Sequence, residues 1–409
     1  MTALRIDEER LVEWASRAIA TPSFTGSEQA MAELMRDTFS DMGLQVQWQQ
    51  VEEGRANVLG IRAGAGGGPS LMFNGHMDTS YSGQESWLRH VPGFQPQPFV
   101  EDGRLYGLGI SNMKGALACY VEALRALAHA RVRLRGDLLV AAVAGEIEKA
   151  QWREAEGAEF RGYAAGTRHL VAHGGVADMC ILGEPTESKV VVGHFGSLWL
   201  RIGVQGHFIH TAFSEGTRDH NSILRMSEVL DAVLAWIPEW EGDPTNAYRG
   251  VGALVNVGAI EGGFGWRVSR TPHRTDLFLD VRVPPTKPMV TARSEVLDLV
   301  RSLHERFPEY GVDGEVYVTA PGAEIEEDHP LVGAVERAHA DVFGAPPERD
   351  VTRWFSDASV LTRYGIATVN YGTSTGLLDT VKGENLEIDG LVKTAEVYAR
   401  AAIDICGLA

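Results

Sequence analysis

The sequence predicts an α/β protein in which a mixed, largely parallel sheet domain is interrupted by a smaller α+β domain of ferredoxin-like order. Three observations carry this. Residues 137–144 (DLLVAAVA) and 176–182 are near-continuous apolar runs, as expected of strands buried on both faces. Strand-like and helical patterns alternate up to about residue 190, as in a sheet built from crossover connections. Past that point the order becomes β-α-β-β-α-β.

In chain order, residues 5–20 have helical spacing and stop before Thr21-Pro22, and residues 26–43 repeat the pattern up to Gly43. Strand-like runs follow at 44–49, 57–62 and 70–74, with a glycine-rich turn at 64–68. Residues 112–130 read as helix, then come the two apolar runs. The second pattern reads as strand 190–204, helix 221–236, strands 251–260 and 276–283, helix 290–306 and strand 314–318. Helix 330–343, a strand near 367–371 and helix 389–406 close the chain. The expectation is one discontinuous domain of residues 1–189 and 320–409, interrupted by a domain of residues 190–319.

Composition narrows the function classes. The 409 residues carry 37 Lys plus Arg against 55 Asp plus Glu, a formal charge of −18. That argues against a non-specific nucleic-acid binder or a protein held on anionic lipid, both of which need a basic face. An anionic small molecule remains possible, because a pocket can be basic inside an acidic protein. Three scattered cysteines, Cys119, Cys180 and Cys406, form no CxxC pair, which argues against a disulfide framework or a thiolate zinc site. The N-terminus has no signal pattern and no run of 18 apolar residues occurs, so the expected location is the cytoplasm, with no membrane span.

Four short motifs follow core strands or open a helix. Gly75-His76-Met77-Asp78 follows a predicted buried strand, where ligands gather in open parallel sheets. His76 there can bind a metal through one ring nitrogen while Asp78 orients the ring; the plain alternative is a loop histidine in an ordinary hydrogen bond. Gly107–Gly115 (GLGISNMKG) precedes a helix but has neither P-loop nor GxGxxG spacing, and Asn112 could be simply its N-cap. Glu146, after 137–144, would have a raised pKa in a desolvated cleft, as suits a general base, or would be a surface charge. Glu184, after 176–182, is a hard oxygen ligand or a solvated turn residue. The order is more informative than any one motif, because all four can converge on one cleft.

Taken together, NGHMDT, GLGISNMKGALA, GEIEK, LGEPTE, GHFIHTAFSEG and FSDASVL resemble, in order and over nearly the whole length, the metallohydrolase family of acetylornithine deacetylase, succinyl-diaminopimelate desuccinylase, aminoacylases and glutamate carboxypeptidase. The resemblance implies a catalytic α/β domain, an inserted lid and dimerisation domain, and hydrolysis of a C–N bond by metal-activated water. It implies His76 and Glu184 as ligands, Asp78 as the residue that orients His76, and Glu146 as the base. It implies His210 as a lid histidine that reaches the partner's site in a homodimer or higher homo-oligomer and stabilises the oxyanion. Asp357 matches an acidic residue of less clear role.

The departures from the family pattern are specific. Asn112 stands where the family has a metal-bridging Asp, and Ile147 where it has a second Glu. No His lies near Asp379-Thr380. The expectation is therefore one weakly held divalent metal on His76, Asn112 and Glu184, manganese or zinc first, cobalt or iron next. Trp266, Arg267 and Arg270, Arg353 and Trp354, and Thr380 are candidates to grip a small, flat, carboxylate-bearing substrate; covering a domain junction is as good a reading for each Arg or Trp. Two alternatives stay open: an aromatic aminohydrolase of the 5-nitroanthranilate type, which the same family contains, and a non-catalytic binding protein on the same scaffold.

Overall fold

A computed structural model describes residues 4–373 and 382–409. The chain forms two compact units: Met1–Val192, Glu324–Asp350 and Ser356–Ala409 make one, Gly193–Ala323 and Val351–Phe355 the other.

The first unit is built on a mixed sheet, nine-stranded among the described residues. Its centre is parallel. Leu138–Val143, buried throughout, lies beside Leu71–His76; then come Met179–Leu182 and Ala367–Asn370. The antiparallel pair Gln45–Glu52 and Arg55–Arg62 extends one side. Parallel neighbours need crossover connections, and here helices supply them and cover the faces. Gly115–His129 packs on Ile388–Cys406, which in turn packs on Pro330–Phe343. Phe73, Tyr120 and Tyr398 form an aromatic cluster under the sheet with centroids 4.9–5.4 Å apart. Tyr120 donates to the Asn74 carbonyl at 2.7 Å, and a Cβ at Gly183 would lie 2.4 Å from its hydroxyl. Glycine at 183 thus lets the chain pass over the helix just before Glu184.

In the second unit the strand order is Val255–Gly262, Arg274–Val283, Gly196–Gln205, Asp313–Ala320, all antiparallel. With helices Ser222–Gly242 and Met289–Arg306 between them in sequence, this is the ferredoxin-like arrangement. Leu198, Leu200, Ile202 and Val204 alternate into a core shared with Met226, Val229, Val296 and Leu303.

Three elements differ from the sequence expectation. The apolar run 190–204 is two strands, Val190–His194 and Gly196–Gln205, which break at Phe195 and join different sheets. Apolar runs read alike whichever sheet they enter. Helix 112–130 starts only at Gly115: Asn112 and Met113 have φ/ψ of −134/96° and −134/36°, and Lys114 is the cap residue, so Asn112 is not the N-cap. Helix 221–236 continues through Pro238 to Gly242, and Trp240, beyond the proline, is buried. Among the described residues, no helix is long and apolar enough to cross a membrane.

Candidate metal centre

The strand order explains why three distant residues meet. Leu71–His76 lies between Leu138–Val143 and Met179–Leu182, and all three run the same way. Each is followed at the same end of the sheet by a polar residue: His76 closes the middle strand, Glu146 follows one neighbour and Glu184 the other. His76, Glu146 and Glu184 are all buried, and one ligand atom from each lies within 4.8 Å of the others.

The hydrogen bonds orient the cluster. His76 Nδ1 faces only acceptors, the Asp78 carbonyl at 2.9 Å and Asp78 Oδ1 at 3.4 Å, so it carries the proton and donates. Nε2 is then directed at Asn112 Oδ1 at 2.9 Å, Glu146 Oε2 at 3.8 Å and Glu184 Oε1 at 3.9 Å. The Asp78 carboxylate accepts from the Glu146 and Ile147 backbone N–H groups at 3.0 and 3.2 Å and from Thr25 Oγ1 at 3.0 Å. One carboxylate therefore fixes both the imidazole strand and the turn that carries Glu146.

The electrostatics are unbalanced. Burial, with the Glu184 charge next, pushes Glu146 well above the usual carboxylate range. Burial raises Glu184 to about 7 and Asp357 to about 6. Burial opposes a charged His76, but the Asp78 hydrogen bond and the charges of Glu184, Asp78 and Glu146 outweigh it and raise its pKa well above the ordinary value. Asp78 is held low: burial opposes its charge, but His76 and the backbone donors prevail. Glu184 Oε1 and Asp357 Oδ1 are buried with no hydrogen-bond partner. A cation bound among them would give these buried acceptors a partner. Imidazole nitrogen with carboxylate and amide oxygens is a donor set for zinc, manganese, cobalt or iron, so the residues fit a divalent metal.

The remaining sequence candidates divide by unit. Asn112 joins the His76 cluster from an irregular turn at Ile110–Lys114. His210, Trp266, Arg267, Arg353 and Trp354 belong to the second unit. His210 opens the turn Thr211–Phe213, and its Nδ1 accepts from the Ala212 N–H at 3.2 Å, which places the ring proton on Nε2. Trp266 is 79% exposed. Arg353 Nε donates to the Gly252 carbonyl at 2.7 Å, and Trp354 stacks on His194 with centroids 6.2 Å apart. Thr380, with Asp379, lies outside the described residues.

Two buried acids had no clear role in the sequence. Asp357 Oδ2 accepts from Thr167 Oγ1 at 2.8 Å, and its charge reaches both Glu146 and Glu184. Glu384 accepts from Ser111 Oγ at 2.8 Å and its N–H at 3.3 Å, and so pins the turn that presents Asn112. Asp357 was flagged only through the FSDASVL motif, and Glu384, in KGENLE, had no local signal.

Comparison with known proteins agrees with this geometry. The sequence profile of peptidase family M20/M25/M40 matches residues 72–404. A succinyl-diaminopimelate desuccinylase of Alkalilimnicola ehrlichii is 29% identical over 407 residues, covering 95% of this chain and 96% of the relative. Among solved structures, the aminopeptidase PepT of Bacillus cereus superposes with a TM-score of 0.76 at 20% identity, over 98% of this chain and 100% of that one. A dinuclear metal-binding peptidase of the M20 family from Bacillus subtilis gives 0.65 at 14% identity, over 98% of each chain.

Proposed function

This chain belongs to peptidase family M20/M25/M40, a family of metal-dependent hydrolases, and from that premise we propose that it cleaves an amide C–N bond in a small carboxylate-bearing substrate at a single divalent metal. His76, Glu184 and the neutral oxygen of Asn112 would hold the ion, and Glu146 acts as the general base. The observation that carries this reading is the convergence of His76 Nε2 with buried, uncompensated carboxylates at one end of the parallel strands. A single ion is favoured because Ile147 and Asn112 replace carboxylates of the family pattern, and His76, Glu146 and Glu184 are the one such ligand group among the described residues.

A divalent metal there supplies, when bound, acidification of water and polarisation of the substrate carbonyl. The rest is the work of side chains. Glu146 takes the water proton on its carboxylate as the oxygen adds to the carbonyl carbon. It then delivers that proton to the amine nitrogen, so that the C–N bond breaks with a neutral amine leaving. Asp78 holds His76 and the Glu146 turn in register. His210 of a second copy donates from Nε2 to the carbonyl oxygen as negative charge builds there. The homodimer forms through the second unit, whose edge strand Val255–Gly262 and following turn expose Ile260, Phe264, Trp266 and Val268. Arg267, Arg353, Trp266, Trp354 and Thr380 bind the substrate carboxylate and its flat portion. The enzyme acts in the cytoplasm, with zinc or manganese as the working ion.

The test is hydrolysis of a panel of N-acetyl and N-succinyl amino acids, dipeptides and tripeptides, with 2-aminobenzoates included, by chelator-treated protein reloaded with zinc, manganese, cobalt or iron. Turnover of an amide that depends on added metal and is lost in Glu146→Ala supports the reading. Deamination of the aminobenzoate alone, or no turnover with any metal, overturns it.

A further inference from the structure

The turn that carries Glu146 rests on one fully buried guanidinium. Arg55 begins strand Arg55–Arg62 and is 0% exposed. Its Nε and Nη2 grip both oxygens of Glu28 at 2.8 and 2.7 Å. Its Nη1 donates to Glu52 at 2.7 Å, to the Arg161 carbonyl at 2.8 Å and to the Ala158 carbonyl at 3.2 Å. Nη2 also lies directly beneath Gly145: a Cβ there would fall 2.1 Å from it. Gly145 has φ of 68°, a left-handed conformation that glycine takes without strain, and it is the residue on which the chain turns from Leu138–Val143 into Glu146.

The surroundings give Arg55 a task larger than an ion pair. From Gly145 to Ala164 the chain has no regular element except the single turn Ala158–Phe160. A loop of that length does not by itself hold a carboxylate within the fraction of an ångström that proton transfer needs. The front of the turn is tied to Asp78 through the Glu146 and Ile147 N–H groups. Its back is pressed on Arg55, and the return limb of the loop is tied to the same guanidinium at residues 158 and 161. A planar fork with five N–H donors can serve two carboxylates and two carbonyls at once; an ammonium cannot.

We propose that Arg55 is a positioning residue for Glu146, clamping the loop from Gly145 to Arg161 so that the base is held against the metal site. This rests on Glu146 being the base.

The full chain is used, loaded with zinc or manganese, with whichever panel amide it hydrolyses fastest. Arg55→Lys keeps the charge opposite Glu28 but loses the fork, and Gly145→Ala presses on the same contact from the other side. Both should lower kcat by roughly tenfold to a hundredfold, the scale of a small misplacement of a catalytic group. KM and metal stoichiometry should stay within about twofold, the unaltered His76 and Glu184 still holding the ion. In the metal-free protein, amide hydrogen exchange should rise in peptides spanning residues 145–163 and not in those spanning 71–76. Unchanged kcat with unchanged exchange overturns the proposal. So does a loss of kcat that merely tracks loss of bound metal or folded protein. Glu146→Gln separates the two ideas. If it keeps the wild-type rate, the base reading fails, and exchange alone decides whether Arg55 holds the loop. If it is inactive while Arg55→Lys and Gly145→Ala run at full rate, only this proposal fails.

Discussion

Each unit of this protein gathers a cluster of charges, buried in the first and reaching the surface at Asp313 and Glu315 in the second, and the two clusters are balanced differently. In the second unit, Arg201 meets Asp276 at 3.1 Å, Asp313 at 2.5 Å and Glu315 at 3.3 Å, while Arg274 meets Asp276 at 2.9 Å and Asp313 at 2.8 Å. Burial opposes the Asp313 charge, but the two guanidiniums prevail and hold its pKa below the ordinary value. In the first unit, Glu146, Glu184 and Asp357 face one imidazole, and burial raises the pKa of all three. A cluster that satisfies itself serves the fold. A cluster that leaves buried oxygens without partners is open to completion from outside, here by the proposed cation.

The comparison can be broken at either end. The largest effect is expected from His76→Ala or Glu184→Ala. Each should weaken metal binding by more than the roughly 10–100-fold typical of outer-shell changes and abolish hydrolysis, as read by metal analysis after dialysis. If either retains a full complement of metal, the first cluster is not a metal site. Asp276→Ala should do the reverse. It removes one partner of Arg201 and Arg274, which keep Asp313, and should destabilise the fold by about 1.5–3 kcal/mol in urea denaturation, without altering metal content. A change in metal stoichiometry there would erase the distinction between the clusters.

Acid should act on the first cluster before the second. A raised carboxylate pKa means that the metal-free site holds a proton that the ion must displace. The Glu184 contribution to affinity is then complete above its value of about 7 and is lost as pH drops through it. Between pH 7.5 and 5.5 calorimetry should find a loss on the order of 25-fold for that one proton. A pH-independent affinity would contradict the assignment of Glu184. The smallest effect is expected from Asn112→Asp. A charged oxygen 2.9 Å from His76 Nε2 should tighten zinc by about tenfold, charged acceptors being the stronger ones. Weaker binding would place Asn112 outside the ligand set.

Legibility in the sequence followed chain locality. His76, Glu146 and Glu184 were legible as candidates because each follows an apolar run, and strand ends in a parallel sheet share one side; the family resemblance assigned their roles. The same logic found helix Pro330–Phe343 at its observed bounds. It failed at Phe195, where a continuous apolar run switches sheets, and at Asn112, whose non-helical backbone sits inside a helix-like pattern. Arg55 left no local trace. Apart from Glu52, three residues back, its partners lie 27, 103 and 106 residues away, so only the folded chain brings them together.

The central claim is that the unbalanced cluster holds one catalytic ion. Its most direct test is a calorimetric titration of the chelator-treated chain with zinc or manganese, with amide hydrolysis followed on the same samples. One ion per chain, with hydrolysis rising in step to a plateau at one equivalent, is the predicted result. Two ions per chain, or hydrolysis at full rate with none bound, would contradict it.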